Sequence, residues 1–519
     1  MDKKQKRKPS LLDRAIAHIS PAAAYKRERA RRGLEILNSG YSHHGANTHK
    51  KSVMGWDSES NSPEEDINNN LPLARERSRD MYMGGSNIAT AAIKTTRTSV
   101  VGSGLVLKPK IDSEFLKMSD EEAQVWEKAA SREFEYFANS VNCDRFRMNN
   151  FYELQQLAFI SMLLSGDVFV LLPYRERQGF AYDLRIQLVE GDRVMTPPTK
   201  EGNASISQGV ETRRGEVVAY HIANHFPGSR TDDLSFRRIP AFGAATGKRN
   251  ILHLMESERP DQTRGMPMLA PVIETLRDLG SYIKNELRSA IVSGLFTVFV
   301  ETSTPQVMLG EDGGLPEHEQ IDSLNEHTIE MGAGNISFLK PGESIKSASP
   351  GRPNPEFESF VSSSAKYIGA AIGMPYEILI QHFSASYSAS RAALLMAWEA
   401  FKMRRKWFAN DFCQPIYEEW MCEAVAKGRI YAPGFFEDPI IRAAYCRAEW
   451  HGPSQGQIDP SREARAAEAR IQSCISTRER EAAEMTGTDF NVNLKQRVKE
   501  ETMRLELLKL EKSLEGGDK

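Results

Sequence analysis

The chain has 519 residues, 40% of them apolar and 26% charged, with a formal net charge of −3. That length is too great for one compact core and predicts about two to four domains. The near-neutral balance excludes a protein that grips nucleic acid with a broad basic face, though not one along which DNA slides.

Met1–Gly33 holds eleven Lys/Arg against three Asp/Glu, with helical patches around Leu11–Ile19 and Ala22–Arg32. A solvated terminus explains it, as does a contact to nucleic acid or an acidic partner. Ser39–Asn70, rich in Ser, His, Asn and acids, reads as a mobile arm. Globular patterning starts near Leu71. Leu73–Thr98 predicts a helix broken at Gly84-Gly85, followed by a turn and strand over Val100–Pro109. Ser119–Ser140 is amphipathic and opens with Ser119-Asp120-Glu121-Glu122, a helix start. Asn150–Ser165 is a helix ended by Gly166, and Asp167–Pro173 an apolar strand. Further strands are expected at Leu184–Glu190, Val194–Thr196, Gly209–Glu211 and Val217–Ile222, which makes this part a mixed α+β domain. Ser229–Lys248 reads as a surface loop.

Beyond Gly265, Met268–Val300 predicts one long helix, with Pro267 and Pro271 where a first turn tolerates them. Glu301–Pro355 is irregular and acidic, with a short strand candidate at Ile336–Leu339. Glu356–Ile372 is a second helix, His382–Ser390 a serine-rich loop, and Ala389–Gly428 a long helix kinked at most once, at Pro415. Ser461–Met485 and Asn493–Leu514 are charged helices with sparse apolar positions (Ile471, Ile475, Leu494, Val498, Leu505, Leu508). Such stripes need a neighbour, in this chain or another copy.

Catalytic signatures are missing. Gly243–Arg249 (GAATGKR) lacks both the spacing and the Ser/Thr of a phosphate loop. Ser363-Ser364-Ala365-Lys366 matches SxxK without its companion motifs, so it reads as a helix face. There is no HExxH; His43-His44, Glu317-His318-Glu319 and Glu326-His327 gather no third metal ligand. Cys143, Cys413, Cys422, Cys446 and Cys474 form no CxxC pair and suit reduced thiols. No signal peptide is evident in Met1–Ser10. Leu157–Tyr174 is interrupted by Gly166-Asp167 and Ala290–Val300 is too short to cross a bilayer, so a soluble protein without cofactor or metal is expected.

Several runs, in collinear order, resemble the lambda-type family of phage portal proteins over most of Leu71–Arg470. Ala74–Asp80 (ARERSRD) and Ser99–Gly104 (SVVGSG) are similar to the family's opening helix and VGxG turn. Gly166–Pro173 (GDVFVLLP) and Leu188–Val194 (LVEGDRV) with Pro197 resemble its GDxF and Q-L-I-E-x-D-R-V strands. The most specific run sets Arg259, Pro260, Asp261, Gln262, Arg264, Gly265, Met266 and Pro267 as the family sets RPGQxRGxP, followed by Leu276-Arg277-Asp278-Leu279 and Tyr282. Leu339-Lys340-Pro341-Gly342-Glu343 matches LKPGE, Gly373–Glu377 resembles GxPYE, and Tyr387-Ser388 with Arg391 resembles YSxxR. Trp450–Pro453 and Ile458-Asp459-Pro460 are similar to a C-terminal W-x-G…I-D-P element. The chain departs from the family where an Asp and an Asn commonly flank the loop serines, holding His382-Phe383 and Ser386 there.

The resemblance implies an α+β portal fold with a mixed α/β wing, long stem helices, a small α/β clip and a helical C-terminal crown. It divides the chain into a flexible arm (1–70), wing (71–264), stem helix (265–300), clip (301–355), second stem helix (356–373), tunnel loop (374–390), long helix with wing completion (391–455) and crown (456–519). It implies a homo-oligomeric ring, typically a dodecamer, at one capsid vertex of the virion, assembled in the host cytoplasm. Double-stranded DNA would pass through without sequence readout. Partners would be the terminase large subunit, head-completion or tail connector proteins, and the major capsid or scaffold protein. His382, Ser384, Ser386, Tyr387, Ser388, Ser390 and Arg391 would line the tunnel loop, and Lys340, Pro341, Gly342 and Glu343 would meet partners at the clip. A non-portal connector or scaffold, and a phage nuclease or protease, are the other classes considered.

Overall fold

A computed structural model of the chain describes residues 20–23, 25–27, 29–30, 61–228, 234–294, 298–302, 343–347, 355–383, 386–455 and 459–515. Two units separate, Met1–Ser62 and Pro63–Lys519. In the first, the described residues from Pro21 to Ala30 are helical. The rest concerns the second.

Its helices begin where side chains can satisfy free backbone donors. Asp120–Ala138 opens on Ser119, whose hydroxyl accepts from Glu122 N while the Glu122 carboxylate accepts from Ser119 N. Phe151–Ser165 repeats the device with Asn150 and Glu153. Each reciprocal pair stabilises its helix start by about 1 kcal/mol. Gly166 ends the second helix at φ 87. The first helical stretch is broken at Gly84-Gly85 as expected, into Leu71–Asp80 and Asn87–Val100 with a wide turn over Met81–Gly85 between them.

Aromatic side chains fill the main core. Phe134, Phe137, Phe151, Phe159, Phe412, Tyr417 and Trp420 are all fully buried. Phe134 meets Phe151 and Trp420 edge to face at 5.4 and 5.0 Å. Helix Gln414–Ala426 thus returns from late in the chain to close a core begun near residue 90.

Three antiparallel strands, Gln187–Glu190, Asp167–Leu171 and Ile251–Met255, form a sheet with Asp167–Leu171 in the middle. A second sheet runs Ile206–Ser207, Val210–Arg213, Glu216–Ala223, Phe236–Pro240. Phe169, Val189, Val210, Tyr220 and Ile222 make a smaller core from residues of both. Strand Ala448–His451 pairs with Val106–Pro109, bringing the C-terminal W-x-G element back beside the strand that follows the VGxG turn.

Several expectations fail for local reasons. Ser229–Lys248 is not wholly loop: Phe236–Pro240 is an edge strand whose Ile239 packs on the smaller core. The Met268–Val300 helix spans only Ile273–Gly294. After Gly294, the β-branched and aromatic run Val298-Phe299-Val300 forms strand Val298–Thr302, paired with Glu343–Ser347. Val194 makes only an isolated bridge, after a tight turn over Gly191–Arg193. The long helix begins at Tyr387, two residues early; its one irregularity is a widened turn over Ala409–Cys413, just ahead of the kink expected at Pro415. Pro415 offers no N–H and its ring excludes the carbonyl of Asp411, and one widened turn absorbs both. The first C-terminal helix divides into Pro460–Gln472 and Arg478–Thr486, and a last one spans Phe490–Glu515. Among the described residues no helix is long and apolar enough to cross a membrane.

Candidate functional site

The motif residues converge on one buried carboxylate. Asp167, the first residue of its strand, has no exposure. Arg264 donates Nε to Asp167 Oδ2 at 2.6 Å and Nη2 to Oδ1 at 3.2 Å. Arg75, from helix Leu71–Asp80, donates Nη2 to Oδ1 at 2.6 Å and Nε to the Ser165 carbonyl at 2.7 Å. The rest of the Arg264 guanidinium is spent on the carbonyls of Val194, Gln208 and Gly191. Five donors in a planar fork suit such a set; a lysine could not reach it.

Electrostatics follow from this packing. Burial would push the Asp167 carboxyl up, but Arg264 and Arg75, with the His253 hydrogen bond, hold it well below the usual range. Burial draws Arg75 down to about 10 against the upward pull of Asp167. His253 stacks on Phe169 at 4.2 Å, and burial lowers its pKa despite the opposing pull of Asp167.

Glycines let the backbones approach. A Cβ on Gly265 would lie 2.0 Å from the Gly166 carbonyl oxygen, and one on Gly191 would lie 2.2 Å from Asp167 Oδ1. Neither contact is possible, so GDxF, E-G-D-R-V and RGxP are three sides of one joint. Around it, Asp192 receives both Nη groups of Arg79 at 2.7 Å. Gln262 accepts from Glu258 N and Arg259 N and donates to Arg264 O. Arg259 is exposed and paired with Asp66; Pro260 is exposed, while Gly265 and Pro267 are buried. This group holds architecture and offers no solvent-open reactive centre.

The GxPYE run also builds a turn. Gly373 caps helix Phe357–Ile372 at φ 70, and a Cβ on Gly369 would strike the Met374 carbonyl at 2.4 Å. Tyr376 OH lies 2.7 Å from Ser362 Oγ, and Lys366 sits over the Tyr376 ring, which accounts for the lysine of the SxxK string.

In the serine-rich segment, His382, Ser386 and Ser388 are exposed. Ser384 and the Tyr387 side chain lie outside the described residues. Ser390 is buried and Arg391 faces Glu463 at 4.0 Å, both on the first turns of helix Tyr387–Phe408 instead of on a loop. Lys340, Pro341 and Gly342 lie outside the described residues; Glu343 opens a strand and pairs with Thr302. Sequence reasoning missed Asp167, Arg75 and His253 as one set. Their signal was present, since each charge stands in or beside a motif, but nothing linear joins them.

With this geometry in place, the class is settled: the chain belongs to the lambda family of phage portal proteins, whose model ("Phage portal protein, lambda family") matches residues 49–405. Among individual relatives, the portal protein of Escherichia phage N15 is 23% identical over 487 residues, 90% of each chain. Portal protein B of Escherichia phage lambda is 23% identical over 483 residues, 89% of each. A solved chain in the neck of a native GTA particle computed with C12 symmetry is 13% identical, with 78% of this chain and 92% of that one covered and a TM-score of 0.40. A chain of a native gene transfer agent virion is 14% identical, covering 80% and 92%, with a TM-score of 0.41.

Proposed function

We propose that copies of this portal subunit close into a ring, typically of twelve, at one capsid vertex, through which double-stranded DNA enters and leaves without sequence readout. The observation that carries this is apolar surface the single chain leaves open. On helix Ile273–Gly294, Ile283, Leu287 and Ile291 stand exposed at four-residue spacing. On Phe490–Glu515, Leu494, Val498, Leu505 and Leu508 do the same at near-heptad spacing. Neighbouring copies would cover both stripes, because cyclic symmetry offers the same surfaces to each subunit.

In this assignment 71–264 and 391–455 form the wing, 265–300 and 356–373 the stem, 301–355 the clip, 374–390 the tunnel loop and 456–519 the crown, with 1–70 an arm. The clip would dock the terminase large subunit and later head-completion or tail connector proteins, and the outer ring would meet the capsid or scaffold protein. Assembly would take place in the host cytoplasm, and the chain would do no covalent chemistry. Short hydroxyls at the loop suit sliding, since a belt neutralising about 6–10 phosphates would bind DNA tightly and with steep salt dependence.

Negative-stain microscopy of the purified chain tests this. Rings with a central hole are expected; monomers under all conditions, or solid particles as from a scaffold, overturn it. Deleting Phe383–Ser388 should leave rings and abolish packaging, and packaging that survives removes the loop assignment.

A further inference from the structure

Asn142–Asn150 connects two core helices by a loop that is held far more firmly than a connector requires. The Asp144 carboxylate accepts from three successive parts of it, Phe146 N at 3.0 Å, Met148 N at 2.9 Å and Asn149 N at 3.2 Å. From beneath, buried Arg177 donates to the carbonyls of Asn142, Asp144 and Arg145 at 2.9, 2.9 and 2.6 Å. Cys143 and Arg145 are stitched to Ile186 by backbone hydrogen bonds on either side. Arg147 is fixed at φ 59, a conformation that costs an arginine about 1 kcal/mol or more.

What this framework presents is unusual for a chain of net charge −3. Arg145, Phe146, Arg147 and Met148 are all exposed in succession, Phe146 at 58% and Met148 at 76%. Arg175, also exposed, joins them from the adjacent segment, which meets the same stretch, Asp183–Ile186, on its other side. Arg147 and Arg175 lie close enough to Arg177 to add to the lowering that burial imposes on it. Arg185, fully buried, adds a further positive charge beneath. Some arginines elsewhere are neutralised, Arg79 by Asp192 and Arg429 by Glu133; among the described residues no carboxylate pairs with Arg145, Arg147 or Arg175.

We propose that this loop, with Arg175, is a docking surface for an acidic protein segment that carries apolar side chains. Arginine, aromatic and methionine side chains together are the composition of a protein-binding core. Clustered guanidiniums without partners call for carboxylates, and a pre-formed loop reduces the ordering cost of binding. DNA would use the arginines but leave Met148 without a contact. The surface is independent of the channel assignment.

The test uses the full-length protein and a fluorescent peptide of alternating glutamate and phenylalanine, read by anisotropy at low and high salt. Wild type should bind it in a salt-sensitive manner. Arg145→Gln with Arg147→Asn, the latter chosen because asparagine accepts the backbone conformation, should weaken binding about tenfold or more, and Phe146→Ser several-fold. An unchanged thermal midpoint separates these losses from misfolding. Three results overturn the proposal: no binding by wild type, equal binding by the variants, or mixed-sequence duplex DNA binding more tightly than the peptide and being lost in the same double variant. A variant that changes only the assembly size in light scattering would assign the surface to a second copy and overturn it as well.

Discussion

Arg264 and Asp167 face one another 97 residues apart in the chain, Nε 2.6 Å from Oδ2, with neither side chain reaching solvent. A buried pair of this kind adds little net stability over a well-packed apolar substitute, because desolvation offsets the attraction. Losing one partner is another matter. Arg264→Met leaves a buried carboxylate and three carbonyls short of donors, and should cost about 3–5 kcal/mol, read as a shifted urea midpoint. Arg264→Lys should recover only part of it, since one ammonium cannot reach the same acceptors.

The same carboxylate sets an acid limit. Its folded pKa is held below the ordinary 3.8, so its contribution is full above that value and fades as pH falls through the lower, folded one. The difference in unfolding free energy between wild type and Asp167→Asn should be level near neutral pH and narrow below about pH 4. A gap that instead widens as pH falls through the histidine range would point to His253 as the titrating group, because the Asp167 carboxylate favours its charged form.

Gly265→Ala should be more damaging than its size suggests. The added methyl would need the space of the Gly166 carbonyl, 2.0 Å away, so helix end and strand must part. A loss of about 3 kcal/mol or failure to accumulate as folded protein is expected, against about 0.5 kcal/mol or less at an open surface position. Thermal unfolding of Gly265→Ala against wild type reads the loss.

Asp261 occupies the place of the family's glycine in RPGQ, and its φ is 62. Asp261→Gly removes the steric cost of that conformation and should raise stability by up to about 1 kcal/mol, less what the freer unfolded chain gives back. Differential scanning calorimetry would register a higher midpoint.

Lys108 ties the C-terminal helices to the first strand, pairing with Glu479 and, at 2.9 Å, with Asp489. Lys108→Met should leave the main aromatic core intact while speeding protease cleavage between residues 473 and 490, more so at low salt, where the lost pair counted for most. Equal cleavage rates would show that apolar contacts hold those helices.

Much of this was legible from the residues alone. Ser119 with Glu122 and Asn150 with Glu153 announce their helices because the capping chemistry is local, and Gly166 ends one because few other residues adopt its φ. Gly294 followed by Val298-Phe299-Val300 carried the signal for a strand, but it sits at the end of an uninterrupted helical pattern and was absorbed into it. Phe236–Pro240 was obscured by Arg237 and Arg238, which an edge strand can place in water. The joint around Asp167 was visible only as separate strings. Its meaning lies in contacts between residues 75, 167, 191 and 264, and no period or spacing encodes that.

The pairing of Thr302 with Glu343 brings the two ends of the intervening segment side by side on neighbouring strands. A segment attached at so narrow a root is interchangeable in principle: it could be trimmed to a hairpin turn, or exchanged for that of a relative, without asking the body of the subunit to refold around it. The sequence of that segment could then diverge on its own schedule, while the buried carboxylate and its arginines stay as they are.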